Sequence, residues 1–314
     1  MKNAETARVT QAEAGVRLDR WLADKVPELG RRQAKLWCAT GRVTVNGLAA
    51  AKDLRVKLDM EICYELPTDR RATQNPTLPL DVRLETASFV VVNKPAGQPS
   101  VALDAEDRSS MANSLLAHYP EMQDAGGKPL EAGLVHRLDT GTSGLLLAAR
   151  TQEAFQVLQR AIRQGQIRKQ YVVVALNRGL SQSGQIDLPL RPSPRSSRRM
   201  VVARLGQRGA RKALTHYEVA ERNENALVAL VSAGPALRHQ IRAHFAAVNC
   251  PLLNDEQYGA ERLDALAEGR HALHARRIVW DGDNVVPAFD CIAPLADDLV
   301  ALLRAMGFCD SSGL

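Results

Sequence analysis

Residues 133 to 150 read GLVHRLDTGTSGLLLAAR. Asp139 stands between His-Arg-Leu and a Thr-Gly-Thr-Ser-Gly loop that runs straight into an apolar segment. The two glycines permit positive φ, and the hydroxyls of Thr140, Thr142 and Ser143 can hydrogen-bond a carboxylate or the backbone. GLLLAA then reads as a buried strand. Two readings fit these residues: an Asx turn that caps a loop, or a reactive carboxylate held at the mouth of a strand, where it can act as nucleophile or base.

Other chemistries leave weaker traces. Asp139 to Gly141 spell Asp-Thr-Gly, the signature of aspartic proteases, but that chemistry needs two such carboxylates sharing a proton, and this chain has one Asp-Thr-Gly. His239 and His244, or His271 and His274, imitate metal-ligand spacing without a convincing third ligand, so packing or a role beside the substrate is the better reading. Cys38, Cys63, Cys250, Cys291 and Cys309 are too scattered for a Cys-x-x-Cys pair or a zinc ribbon and suggest reduced thiols. The stretch from Arg191 to Lys212, RPSPRSSRRMVVARLGQRGARK, holds eight basic residues and no acid. It reads either as a solvated loop or as a surface that touches phosphates.

The elements that would position these residues fall into two groups. In residues 15–66, Leu18, Trp21 and Leu22 have helical spacing. GRRQAKLW then starts a second helix, with Ala34, Trp37 and Cys38 inward and Arg31, Arg32 and Lys35 outward. Alternation at Val43 and Val45, followed by Asn46-Gly47, predicts a hairpin whose return strand passes through Ile62 and Tyr64. Residues 67–81, PTDRRATQNPTLPLD after Leu66, are polar and proline-rich and read as a flexible linker. Beyond them, FVVVNK, GLLLAA and YVVVAL read as strands and QEAFQVLQRAIRQG as a helix. No glycine-rich phosphate loop follows the first strand, and no regular helix separates each strand pair. The expected class is therefore α+β: a large domain over 82–305 on a mixed, largely antiparallel sheet flanked by helices and loops, plus a small N-terminal α/β domain. Residues 1–14 and 306–314 are left as tails.

The chain has 314 residues, enough for this division. Its composition is that of a soluble globular protein, and a net charge of +6 leans towards an anionic partner. The opening MKNAETARVTQAEAG offers no apolar core for a signal peptide, and no run of about eighteen apolar residues suits a membrane span. A cytoplasmic protein without membrane attachment is expected.

Two resemblances sharpen the reading. RLD, GRRQAKLW and GRVTVNG in the first group resemble the S4 RNA-binding domain, a small helix-helix-hairpin module, with Leu58-Asp59 where that family usually has Gly-Asp. GLVHRLDTGTSGLLLAAR resembles the signature of the RNA pseudouridine synthases of the RluA type. FVVVNKPAGQPS, RKQYVVVALNRG, GQIDLPL, ALTHYEV, HQIRAHFAAVNCPLLNDEQYG and HALHARRIVW follow in that family's order. The resemblance implies Asp139 as the catalytic aspartate, Tyr171 as the active-site tyrosine and Arg242 as the arginine that keeps Asp139 charged and pointed at the sugar. It implies that Arg137 fills the space left when the target base leaves the stack, and it puts Arg31, Arg32, Lys35, Lys169, Arg238 and His239 among the RNA contacts. Where the family commonly has Gly-Arg, this chain has Ala236-Leu237, and Arg238 is the neighbouring basic side chain.

The implied reaction is an isomerisation that breaks the C1′–N1 bond of uridine and joins C5 to the same sugar carbon. It is redox-neutral, so no cofactor and no metal are expected. A base stacked in RNA must first be extruded, at a cost of a few kcal/mol. The expected partner is RNA, with ribosomal RNA favoured over transfer RNA because S4-like modules grip structured RNA by backbone and shape. The expected state is a monomer. The alternative of another class is a catalytically inactive RNA-binding or ribosome-assembly protein.

Overall fold

The computed structural model describes residues 4–26, 29–50, 53–65, 71–104, 106–196, 199–234 and 236–308. The chain divides into two compact units, Met1–Arg71 with Leu103–Ala105, and Ala72–Ala102 with Glu106–Leu314.

The first unit begins with β1 (Ala4–Arg8), followed by α1 (Leu18–Lys25), α2 (Arg31–Ala39), β2 (Val43–Val45), β3 (Leu48–Ala49) and β4 (Glu61–Glu65). The strands form one antiparallel sheet in the order β1-β4-β2-β3. Its core joins Leu18, Trp21, Leu22, Ala34, Trp37 and Cys38 of the helices to Val43, Val45, Ile62 and Tyr64 of the sheet. This is the inward set that helical and strand spacing predict. Two expectations are corrected. Ala4–Arg8, placed in a tail, pairs with β4 along its whole length, because an edge of the sheet is open to it. Asn46 and Gly47, with φ of 50° and 79°, make the tight turn expected of Asn-Gly, but the return strand is the two-residue β3. The strand through Ile62 and Tyr64 pairs with β2 on its other side.

The second unit contains β5 (Asp81–Glu85), β6 (Phe89–Lys94), α3 (Met111–His118), β7 (Ser143–Ala149), α4 (Gln152–Arg163), β8 (Arg168–Leu176), β9 (Ser183–Asp187), β10 (Leu190–Pro192), β11 (Met200–Val202), β12 (Leu214–Arg222), β13 (Ala226–Ala233), α5 (Gln240–Ala247), β14 (Leu273–Trp280), β15 (Phe289–Ile292) and α6 (Asp297–Ala305). Eight strands run β5-β6-β7-β14-β8-β13-β12-β9, with β15 added beside β14, while β10 and β11 form a separate hairpin. Every pairing in the large sheet is antiparallel except β7 with β14. The fold is therefore α+β on a mixed, largely antiparallel sheet.

Strand alternation sorts the apolar side chains onto two faces. Val90, Val92, Leu146 and Ala148 pack with Met111, Leu115 and Leu116 of α3, in a cluster that also takes Ile241 and Phe245 of α5. Phe89, Val91, Leu145 and Leu147 pack with Phe155 and Leu158 of α4. Val172, Val174 and Val228 pack with Leu299, Leu302 and Leu303 of α6. The central strands are apolar on both faces because both are covered, as their unbroken apolar runs indicate.

The linker and the C-terminal tail also need correction. Ala72 is buried and its N–H donates to Pro129 O, Asn75 N–H donates to Asn113 O, and Ser114 Oγ reaches Leu78 O and Pro79 O, so residues 72–80 are built into the second unit. Residues 67–70 lie outside the described ones. Phe308 is buried with the α6 leucines, whereas residues 309–314, including Cys309, lie outside the described ones.

Candidate active site

Asp139 sits in the loop that feeds β7, and each neighbour in that loop has an anchor. Ser100 Oγ donates to Leu138 O and accepts from Leu138 N–H, at 2.8 and 3.1 Å. Thr140 O accepts from Gly97 N–H at 2.8 Å and from Lys94 Nζ at 3.2 Å. Thr142 Oγ1 and Ser143 Oγ meet His271 Nε2 and His274 Nδ1 at 2.8 and 2.9 Å. Thr142 N–H closes the turn onto Asp139 O at 3.0 Å. The two loop glycines are demanded by close approach. A Cβ on Gly141 would lie 2.0 Å from Gly269 O, and one on Gly144, whose φ is 109°, would lie 2.3 Å from Ala275 O.

Among the described residues, the side chain of Asp139 is held from one side. Arg242, on the first turn of α5, donates from Nη1 to Asp139 Oδ2 at 2.9 Å. The rest of its guanidinium is fixed by residues 255–258. Nε and Nη2 form a bidentate pair with Asp255 at 2.7 Å each, Nη2 also donates to Gln257 Oε1 at 3.0 Å, and the Tyr258 ring lies 5.0 Å beneath the guanidinium. Burial alone would lower the Arg242 pKa, but its bonds to Asp255, the charge of Asp255 and then Asp139 overcome this and hold it above its ordinary value. Arg242 is a permanent cation aimed at one carboxylate oxygen, which leaves Oδ1 free of it.

His239 caps α5 in the left-handed region, with φ of 54°. Its Nε2 lies 3.6 Å from Asp139 Oδ1, too long for a hydrogen bond, and its Nδ1 meets Tyr258 Oη at 3.1 Å. Tyr258 Oη accepts from Met200 N–H at 2.9 Å, so the Tyr258 hydroxyl proton is available to His239 Nδ1. Burial lowers the His239 pKa against the opposing pull of Asp139, and the ring is neutral near pH 7. Its nitrogens are directed at Tyr258 and Asp139 rather than at solvent.

Tyr171 is buried on β8 in the cluster that contains Leu138 and Ile241, the neighbours of Asp139 and Arg242. Burial first, and the charge of Asp139 second, push its phenol above the ordinary value. It is therefore a neutral O–H donor near pH 7. Lys94 is fully buried, with Nζ donating to Pro95 O, Gln98 O and Thr140 O at 2.7, 2.8 and 3.2 Å. Burial and then the charge of Arg270 lower its pKa to about 7, against the pull of Asp139.

The structure thus brings Asp139, Arg242, His239 and Tyr171 together. Arg137 and Arg238 are exposed beside them, and Lys169 is half-buried two residues before Tyr171, lowered to about 8 by burial. Leu237 is buried with Leu190, Met200 and Tyr258 at the base of the β10–β11 hairpin, so no basic side chain points from that position. Arg31 and Lys35 are exposed on α2 of the first unit, and the Arg32 side chain lies outside the described residues. The histidine pairs are engaged by the protein itself: His271 and His274 hold the loop, while His244 bonds Thr215 Oγ1 and Leu188 O. Among the described residues, no group of three His, Cys, Asp or Glu side chains could hold a metal ion.

Sequence reasoning left Lys94, Asp255, Gln257 and Tyr258 unnamed. The signal for Lys94 was a lysine closing the apolar run FVVVNK just before a proline. A depression of about 480 Å³ over β8, β9, β12 and β13 is lined by Gln170, Gln185, His216 and Ser232 among others and by none of the site residues. Tyr171 points to the opposite face from Gln170, so this depression is not where the loop chemistry lies.

Comparison with known proteins identifies the family. The RNA pseudouridylate synthase family model matches residues 88–247. The ribosomal large subunit pseudouridine synthase D of Vibrio parahaemolyticus is 30% identical over 324 residues, covering 96% of this chain and 94% of that protein. The protein of the same name from Yersinia pestis is 30% identical over 316 residues, covering 96% and 94%. Among solved structures, human RNA pseudouridylate synthase domain containing 4 superposes with a TM-score of 0.57 at 22% identity, covering 72% of this chain and 93% of that one, which speaks for the fold. No described helix is long and apolar enough to cross a membrane. The chain belongs to the RluA-type RNA pseudouridine synthases, isomerases that act on RNA.

Proposed function

We propose that this enzyme converts specific uridines of large-subunit ribosomal RNA to pseudouridine, as a cytoplasmic monomer without a cofactor, and that Asp139 is its catalytic carboxylate. The Asp139–Arg242 ion pair at 2.9 Å carries the reading, because it fixes one carboxylate oxygen and leaves the other to react. The family relatives named for the ribosomal large subunit support the substrate. The basic helix α2 and the S4-like order of the first unit support a grip on structured RNA.

In the reaction the C1′–N1 bond breaks, the freed uracil turns, and C5 bonds to C1′. The C5 hydrogen leaves as a proton and N1 gains one, so product and substrate have the same atoms. Asp139 Oδ1 acts on the sugar, as nucleophile at C1′ or as base beside it. Arg242 holds Oδ2 throughout. Tyr171 packs against the flipped base, and its neutral hydroxyl relays the C5 proton rather than serving as a resting phenolate. Arg137 occupies the gap in the RNA stack and offsets part of the extrusion cost. Lys169, Arg238 and the basic segment around β10–β11 engage phosphates.

The test is tritium release from ribosomal RNA labelled at uracil C5, taken from cells that lack the enzyme. Wild type should release tritium and Asp139→Asn should not, while RNA binding stays within a few-fold. Tight binding without release by the wild type would instead identify an inactive RNA-binding protein, and turnover by Asp139→Asn would remove Asp139 from the chemistry.

A further inference from the structure

The Asp139 loop has an anchor outside the region that the family model matches. Arg270 precedes β14, is 2% exposed, and is among the largest fully buried side chains. Its Nη1 donates to Gly141 O at 2.9 Å, to His271 O at 2.9 Å and to Leu273 O at 3.0 Å. Its Nη2 donates to Ser143 Oγ at 3.0 Å. On its other edge, Nε and Nη2 bond Asp298 at 2.7 and 3.2 Å. Asp298 lies in the first turn of α6, where its Oδ1 also accepts from Leu299 N–H at 2.8 Å.

A guanidinium is a rigid planar fork of five donors. Here the fork is filled from two directions, the catalytic loop on one edge and the C-terminal helix on the other. Gly141 and Ser143 lie two and four residues after Asp139, and the turn between is closed by Thr142 N–H onto Asp139 O. The position of the Asp139 backbone is thereby tied to α6. An apolar side chain would fill the same space, but it would take one donor each from the carbonyls of Gly141, His271 and Leu273 and from the Ser143 hydroxyl. A lysine offers three donors from one point and cannot span both edges.

We propose that Arg270 is a positioning residue for Asp139, with Asp298 as its counter-ion, so that α6 is part of the active-site frame. The proposal rests on the function given above. Arg270→Lys and Asp298→Asn, singly and combined, would be compared with wild type in single-turnover tritium release at saturating RNA, alongside RNA binding and amide hydrogen exchange of residues 134–149 without RNA. Arg270→Lys should slow release about 100-fold, the scale of a catalytic group displaced by about an ångström, with RNA affinity unchanged within two-fold. Asp298→Asn should slow it several-fold, and the double variant should be no slower than Arg270→Lys, as expected of one coupled unit. Loop exchange should quicken in the same order.

Ethylguanidinium added to Arg270→Ala should restore part of the rate without altering KM, which a general loss of structure would not allow. Wild-type release by folded Arg270→Lys, or equal losses of rate and affinity, would overturn the proposal. Should the Arg270 variants fail to fold, Asp298→Asn decides alone, and unchanged release with unchanged exchange would overturn it. A wild type that releases no tritium would count against the proposed function, while the exchange data would still judge the clamp.

Discussion

Asp255 does not touch Asp139, yet its replacement should be felt there. Three of the four hydrogen bonds of Arg242 go to Asp255 and Gln257, and one goes to Asp139. Asp255→Asn keeps the shape but removes the charge and turns one acceptor into a donor that faces an Arg242 N–H. Breaking a buried ion pair by removing one partner costs about 3–5 kcal/mol, and the amide oxygen that remains puts this case near the lower end, about 3 kcal/mol. The freed guanidinium then has one carboxylate left to grip. It should rotate to pair with both oxygens of Asp139, which ties up the Oδ1 that must react. The expected result is a fall in kcat of about 100-fold with KM nearly unchanged. Steady-state tritium release gives the kinetic half and urea unfolding the energetic half. A variant that loses about 3 kcal/mol of stability but turns over at the wild-type rate would refute the reasoning, because the orientation of Arg242 would then be immaterial.

Acid should unfold the protein earlier than its carboxylates alone require. Burial holds His136 and His271 well below the ordinary histidine value and lowers His274 to about 4. The unfolded chain therefore binds more protons than the folded one below about pH 6.5, and stability is lost as the pH falls through that range. From pH 7 to pH 5 His274 alone removes about 2 kcal/mol, and His136 and His271 add losses of the same sign. Urea midpoints that stay level over that interval would contradict the buried neutral rings. On the first unit, charge reversal by Arg31→Glu with Lys35→Glu should weaken RNA binding and flatten its salt dependence, by roughly 0.7–0.9 in slope for each phosphate no longer neutralised. An unchanged slope would take α2 off the RNA surface.

Local pattern carried most of the fold. The helical spacing of Leu18, Trp21 and Leu22, the apolar runs at 89–94 and 145–149, and the Asn-Gly turn are properties of a few adjacent residues, and each reappears in the structure. Pairings between distant segments are of another kind. Nothing within Ala4–Arg8 says that an open sheet edge awaits it near residue 63, and nothing within Leu48–Ala49 says that the hairpin stops after two residues. The polar, proline-rich composition of 72–80 reads as a linker because its partners at Asn113, Ser114 and Pro129 lie 35 to 57 residues away in sequence.

The candidate site divides in the same way. Asp139 stands out because a carboxylate between His-Arg-Leu and a glycine-hydroxyl loop is locally odd, whereas Asp255 and Arg270 resemble any surface charge until the fold buries them. Burial also gives them their task. Around Asp139 the cations Arg242 and Arg270, and Lys94 with its pKa lowered to about 7, lie among the carboxylates Asp139, Asp255 and Asp298. Arg242 is bonded to two carboxylates and Arg270 to one, whereas among the described residues Lys94 bonds carbonyl oxygens. The carboxylate that supports its charge is Asp139, acting through space. The charge of Asp139 thus favours the protonated form of Lys94 across Thr140, and the loop between them is held by charge as well as by hydrogen bonds. A site built this way fixes one oxygen of its reactive carboxylate without occupying the second, which is the condition the chemistry sets.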